Sequence, residues 1–208
     1  MFQDRSEAGE RLADRLEQVG IEADVVLAIP RGGLPVGRAV ADRLSAPLDV
    51  VVARKLGAPG NPELAIGAVA ADGTLWRNDR LIADLGVSDA YLDEEIETQR
   101  AAASDKLARY RDEPTHPPLE GRTVVLVDDG IATGATITAC ARVIEAAGAE
   151  QVIVAVPVAP SDAIDRLREE VDRVEVLETP RFFGAVGAFY RDFAQVSDEE
   201  AIGYLEVD

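Results

Sequence analysis

The amino-acid sequence predicts an α/β protein: a three-layer arrangement in which a mostly parallel, twisted sheet carries helices on both faces, with a small hairpin and a C-terminal cap segment added. Three observations predict it. Short apolar runs alternate along the chain with stretches of helical period, the pattern of strand–helix–strand units. The runs are rich in valine and are not interleaved with polar residues, as expected of strands covered on both faces. A chain of 208 residues is long enough for one well-buried domain and too short for two ordinary ones.

The elements follow in order. "FQDRSEAGERLADRLEQV" spaces Ala8, Leu12, Leu16 and Val19 on one helical face and reads as an opening helix. "ADVVLAIP" is a strand, "LPVGRAVADRL" a helix and "PLDVVVARK" a second, continuous strand. "LAIGAVAADGTLWRN" carries two extended runs around an Asp-Gly turn at Asp72 and Gly73, a hairpin signal. A long charged helix runs from Ser88, its cap, to about Tyr110, with Tyr91, Ile96 and Leu107 among its few apolar contacts. "PTHPP", Pro114 to Pro118, breaks that helix and forms a linker; His116 within it is assigned no role. "RTVVLV" is the third buried strand and "TITACARVIEAAG" a helix ended by Gly148. "QVIVAVP" is a strand, "SDAIDRLREE" a helix capped by Ser161, and "RVEVLET" the last strand. The whole, 1–208, reads as one domain with a core at about 20–178; residues 179–208 depart from the alternation and read as a cap, hood or return element.

Composition narrows the functional classes. Acidic residues number 39 against 21 basic, for a formal charge of −18, and only Lys55 and Lys106 are lysines. Such a field repels nucleic acid and anionic membranes, and resembles the solvated carboxylate surfaces of salt-loving organisms, where salt screens mutual repulsion. A single cysteine, Cys140, excludes an internal disulfide framework, and one histidine excludes zinc-ligand spacing. No basic-then-apolar leader and no membrane-length apolar run is present, so a reducing cytoplasm is the expected location.

In an open parallel sheet, ligands bind beyond the C-terminal ends of the strands. The residues there are "PRGG" at 30–33, Arg54 and Lys55, Asp128 to Thr136, "PVAP" at 157–160 and "ETPR" at 178–181. "GIATGAT" leaves a strand and enters a helix, so its N–H groups and the positive helix end converge on one small volume suited to a phosphate monoester. Thr133 and Thr136 add hydroxyl donors, and Gly134 lets the backbone come close. A plain turn capped by Thr133 is the competing reading. Asp128 and Asp129 offer adjacent acceptors, the complement of a vicinal diol, so a ribose 5-phosphate satisfies loop and acids together. A solvated acidic strand end is the alternative.

Other phosphate and hydrolase motifs fail on single residues. Ala135 stands where a Walker A loop needs lysine, and Leu34 stands where a dinucleotide fingerprint needs its middle glycine. No G-x-S-x-G elbow occurs.

"VVLVDDGIATGAT", Val124 to Thr136, resembles the phosphoribosyl pyrophosphate signature of the type I phosphoribosyltransferases. "IPRGG" is similar to that family's pyrophosphate loop, and "VVVARKLGAPGNPELAIGAV" stands where it carries a second-strand cation and a mobile loop. "RKLGAPGNPELAIGAVA" and "FYRDFAQVSDEE" resemble a prokaryotic branch of the family. The resemblance implies that Ala132, Thr133, Gly134, Ala135 and Thr136 hold the 5-phosphate and that Asp128 and Asp129 hold the ribose hydroxyls. It implies that Arg31, Gly32 and Gly33, with Arg54 and Lys55, hold pyrophosphate, and that the peptide bond between Pro30 and Arg31 is cis. Asp128, Asp129, Lys55 and Arg31 are then the catalytic set. Mg²⁺ is the implied cofactor, held mainly through substrate oxygens with no direct protein ligand. The partners are phosphoribosyl pyrophosphate and a small nitrogenous acceptor, with a nucleobase as one candidate, in nucleotide metabolism; the family is often homodimeric. A non-catalytic ribose-phosphate-binding module is the alternative.

Three further readings stay open between chemistry and packing. Glu63 is a secondary candidate, as base or loop orienter, against a plain surface glutamate. Phe182, Phe183, Phe189, Tyr190 and Phe193 suit stacking on an acceptor base, with packing against the sheet the favoured reading. Trp76 suits packing or a subunit contact.

Overall fold

The computed structural model describes residues 1–111 and 118–206. The expected linker at Pro114 to Pro118, with His116, lies almost wholly outside the described residues.

Five parallel strands form the main sheet: β1 (Val25–Ala28), β2 (Leu48–Val50), β6 (Thr123–Val127), β7 (Gln151–Val158) and β8 (Arg173–Glu178), in the order β2-β1-β6-β7-β8. Alternate side chains of each strand enter opposite layers. On one face Val26, Ala28, Val125 and Val127 meet Leu12 and Leu16 of helix α1 (Arg5–Gln18) and Leu34 and Val40 of α2 (Gly33–Leu44). On the other, Val25, Leu27, Val124 and Leu126 meet Ile137, Cys140 and Ile144 of α5 (Ala135–Ala146) and Ile164 and Leu167 of α6 (Ser161–Leu167). Full burial of Leu12 or Leu16 contributes about 1.5–3 kcal/mol each. This is the three-layer α/β fold expected.

The valine run "PLDVVVARK" is not one strand. It pairs with β1 only as far as Val50, passes through buried Val51 and Val52, and becomes β3 (Ala53–Ala58) of a separate antiparallel sheet. A uniformly apolar run signals burial and carries no mark of a change of partner, which is why it reads as continuous. Strands β3, β4 (Asn61–Ala70) and β5 (Leu75–Arg77) form that sheet in order. The Asp72-Gly73 hairpin joins β4 to β5, with Gly73 at φ 91° and the Thr74 N–H donating to Asp72 Oδ1. Trp76 lies beneath the Arg142 guanidinium at 3.8 Å, and Arg142 forms a fork with Glu170 at 2.8 and 2.6 Å. Trp76 is thus engaged in packing.

Helix α3 (Asp79–Asp84) and helix α4 (Asp89–Leu107) cover the smaller sheet through Ile82 and Leu92. The Ser88 side chain accepts from the Tyr91 N–H, the expected cap. Ser161, expected as a cap, is instead the first residue of α6; Pro160 stands at the cap position without a side-chain bond. Pro160 is already extended, and this geometry starts the helix without a polar cap.

Residues after β8 include a 3₁₀ turn (Val186–Phe189) and helix α7 (Asp198–Gly203). Phe183 stacks on Phe189, and Tyr190 contacts both Phe2 and Phe193. These aromatics pack, as favoured, while Phe182 stays 92% exposed. No helix among the described residues is long and apolar enough to cross a membrane.

Candidate active site

Strand order in the main sheet reverses direction between β1 and β6, which opens a crevice beyond their C-terminal ends. "PRGG" leaves β1 there and "DDGIATGAT" leaves β6. The peptide bond between Pro30 and Arg31 is cis. The two loops touch: a Cβ at residue 32 would overlap Oδ2 of Asp129, and one at residue 33 would lie 3.0 Å from the Val127 carbonyl oxygen. A side chain at 32 would force the Asp129 carboxylate, held by Arg5, to move, and one at 33 would crowd the backbone at the end of β6.

The acid pair is half-buried. Asp128 Oδ1 accepts from the Asp129 N–H at 2.8 Å, and Asp129 Oδ2 accepts from Arg5 Nε at 2.7 Å. Burial, then the neighbouring Asp129 charge, holds the Asp128 carboxyl well above the usual carboxylate range. Burial also raises Asp129, against the opposing pull of Arg5. The Tyr190 hydroxyl donates to the Asp129 carbonyl at 2.6 Å, and burial raises its pKa. Among the described residues, one oxygen of each carboxylate, Asp128 Oδ2 and Asp129 Oδ1, has no hydrogen-bond partner.

Beyond the acids, Gly134 adopts φ 85° and caps α5 without a side-chain bond. Thr133 Oγ1 receives only a long 3.4 Å contact from the Ala135 N–H, so the threonine is a weak cap. The first-turn N–H groups of α5 have no intrahelical acceptors and point into the loop. Ala132, Thr133, Ala135 and Thr136 are exposed around them. Arg166 Nη2 reaches the Thr133 carbonyl at 3.3 Å.

The cations arrive from elsewhere. Arg54 and Lys55 lie on β3, in the second sheet rather than at the end of a parallel strand, which corrects the expected placement. Arg54 Nε donates to Gln99 Oε1 at 3.2 Å, and Lys55 Nζ pairs with Glu63 at 2.9 Å. Glu63 is therefore a partner of Lys55 on the exposed start of β4. Arg31 Nη1 pairs with Asp198 of α7 at 3.2 Å, and the Tyr110 hydroxyl donates to the same carboxylate at 3.1 Å.

A cleft of about 390 Å³ is lined by Arg54, Lys55, Glu63, Lys106, Ala135 and Thr136, among others. A smaller one of about 220 Å³ lies against Lys55, Thr133, Gly134 and Arg166. The structure thus brings β3 cations and the α5 loop to one opening. Arg31, Asp128 and Asp129 do not line these two clefts; Lys106, which lines the larger, feels the charges of Asp128, Arg54 and Arg31.

Sequence reasoning missed Arg5, Asp198 and Lys106. Arg5 and Asp198 lie on terminal helices far along the chain, and no local pattern marks them. Lys106 carried one signal, as one of only two lysines in an arginine-rich chain.

The fold and site define an open, parallel α/β protein with an acid pair and a glycine-bearing helix entry at its switch point, beyond the strand ends. The chain belongs to the phosphoribosyl transferase domain family, whose model matches residues 5–194. Two Mycobacterium tuberculosis proteins, each named "Putative phosphoribosyl transferase", are 45% identical to it over 206 residues, covering 99% of this chain and 46% of theirs. The chain spans about half the length of these curated relatives. The crystal structure of TT1426 from Thermus thermophilus is similar with a TM-score of 0.90 and 45% identity, covering 99% of this chain and 97% of that one.

Proposed function

We propose that the protein transfers the 5-phosphoribosyl group of phosphoribosyl pyrophosphate to a small nitrogenous acceptor, releasing pyrophosphate. The observation that carries this reading is the continuous path from Asp128 to Thr136, which offers two uncommitted carboxylate oxygens and then a ring of helix-start N–H groups. Asp128 and Asp129 receive the ribose hydroxyls; Ala132, Thr133, Gly134, Ala135 and Thr136 receive the 5-phosphate. Arg31, Gly32, Gly33, Arg54 and Lys55 serve the pyrophosphate. Binding there exchanges the Lys55–Glu63 and Arg31–Asp198 pairs for contacts to the donor.

In the reaction the bond from the anomeric carbon to the pyrophosphate oxygen breaks as the acceptor nitrogen bonds to that carbon, and the nitrogen loses a proton. Positive charge grows on the ribose and negative charge on the leaving group. Carboxylates beside the first and cations beside the second stabilise both.

Mg²⁺ fits this donor set only with the substrate. Among the described residues no group of three metal-ligating side chains converges, and Arg5 and the Asp129 N–H occupy one oxygen of each acid. With the donor bound, the ion would lie beside Asp128 and Asp129, held mainly by the substrate, and would supply charge neutralisation for the departing pyrophosphate.

The second reading, a binding module without turnover, is favoured by the larger cleft, whose lining holds no aromatic side chain to stack on a base. Pyrophosphate release from phosphoribosyl pyrophosphate and Mg²⁺, assayed against nucleobases and small amines with Asp129→Asn as control, separates the two. Acceptor-dependent release abolished in the variant supports the transferase. Tight donor binding with no release across the panel supports the module.

A further inference from the structure

Helix α4 ends at the larger cleft with Lys106, half-buried in its last turn. Among the described residues no carboxylate lies within 4 Å of its ammonium, whereas Lys55 across the cleft is paired with Glu63. Both lysines of the chain line this one cleft, although they come from different elements and 51 positions separate them. A cation near the C-terminal end of a helix gains from the helix dipole, yet that gain needs no position inside a cleft. The half-buried ammonium shares its cleft with Arg54 and Lys55, and the cleft's two carboxylates are engaged elsewhere, Glu63 with Lys55 and Glu95 with the Gly57 N–H.

We infer that Lys106 binds the same anion as Arg54 and Lys55, so that α4, outside the parallel sheet, contributes a third cation to the diphosphate of the ligand. The inference rests on the transferase reading of the cleft and names a residue that reading did not include. Two elements then grip one anion, β3 by Arg54 and Lys55, and α4 by Lys106.

The charge on Lys106 is linked to the ligand. Burial holds the ammonium below its usual range, opposed by Cys140 and Asp128 and reinforced by Arg54 and Arg31; Lys55, Glu63 and Glu95 share the cleft lining. An incoming polyanion reverses that balance and raises the affinity of Lys106 for its proton. In alkaline solution, binding therefore draws a proton from the buffer.

Calorimetric titration of the full chain with inorganic pyrophosphate, with and without Mg²⁺, tests this on wild type, Lys106→Gln, Lys106→Arg and Lys55→Gln. Loss of one charge-assisted bond predicts about tenfold or more weaker binding in Lys106→Gln. Lys106→Arg, which keeps its charge, binds within a few-fold of wild type. Titrations in alkaline buffers of different ionisation heat show proton uptake by wild type that both Lys106 variants lack. A purely structural lysine would lower the melting temperature of Lys106→Gln and leave its affinity unchanged. Unchanged affinity in Lys106→Gln, with binding lost in Lys55→Gln, overturns the inference and leaves the transferase reading standing. Absence of pyrophosphate binding by folded wild type overturns both.

Discussion

Arg5 Nε lies 2.7 Å from Asp129 Oδ2, a contact that joins the first turn of α1 to the acid pair across 124 positions of sequence. Both side chains are largely buried, at 12% and 15% exposure, and the Arg5 guanidinium also lies over the Phe193 ring at 3.8 Å. Removing the cation leaves a desolvated carboxylate without its counter-charge. Arg5→Gln is therefore expected to lower unfolding free energy by about 2 kcal/mol, measured by urea denaturation. Combining it with Asp129→Asn should recover part of the loss, because the stranded charge is then gone.

Gly32 is required by the same carboxylate. In Gly32→Ala the new methyl group collides with Asp129 Oδ2 and lies 2.7 Å from its Cγ. A destabilisation of about 2 kcal/mol is expected, with weaker donor binding. Truncating the obstruction in Gly32→Ala/Asp129→Ala should bring the melting temperature back above that of Gly32→Ala alone.

The Asp128 carboxyl makes stability depend on pH with a definite sign. Its pKa is raised on folding, chiefly by burial and then by Asp129, so between the ordinary carboxylate value of about 4 and the folded value the native state binds more protons than the unfolded one. This group's contribution to stability thus falls as pH rises through that window and stays unfavourable at neutrality. Asp128→Asn, whose amide oxygen can still accept from the Asp129 N–H, should melt above wild type at pH 7. The difference should vanish below about pH 4.

Chelation tests the metal. With donor and acceptor present, excess EDTA should stop pyrophosphate release, and added Mg²⁺ should restore it; release undiminished by EDTA would remove the ion from the reaction.

The fold was legible because its signals are local. Valine-rich runs such as Val124–Val127 mark covered strands, and Ser88 and Asp72-Gly73 mark a helix start and a hairpin through bonds within three residues. The change of sheet after Val50 was not legible, since Val51 and Val52 are as apolar as the strands they separate. At the candidate site, the acid pair runs straight into the Thr133–Thr136 loop, and Arg31 runs straight into its two glycines, so each motif could be named from its own short stretch. Arg5, Asp198 and Tyr190 reach them only through folding. Lys106 lies between, visible in composition and placed only by the descent of α4 onto the cleft.

The passage of the chain from one sheet to the other at Val51 and Val52 means that Asp128 and Asp129 stand on one platform and Arg54 and Lys55 on another. Lengthening or stiffening this two-residue joint would retune the gap between opposite charges without altering any side chain assigned to the ligand. Divergence of specificity among proteins built on this plan therefore has a lever remote from the groups proposed to touch substrate.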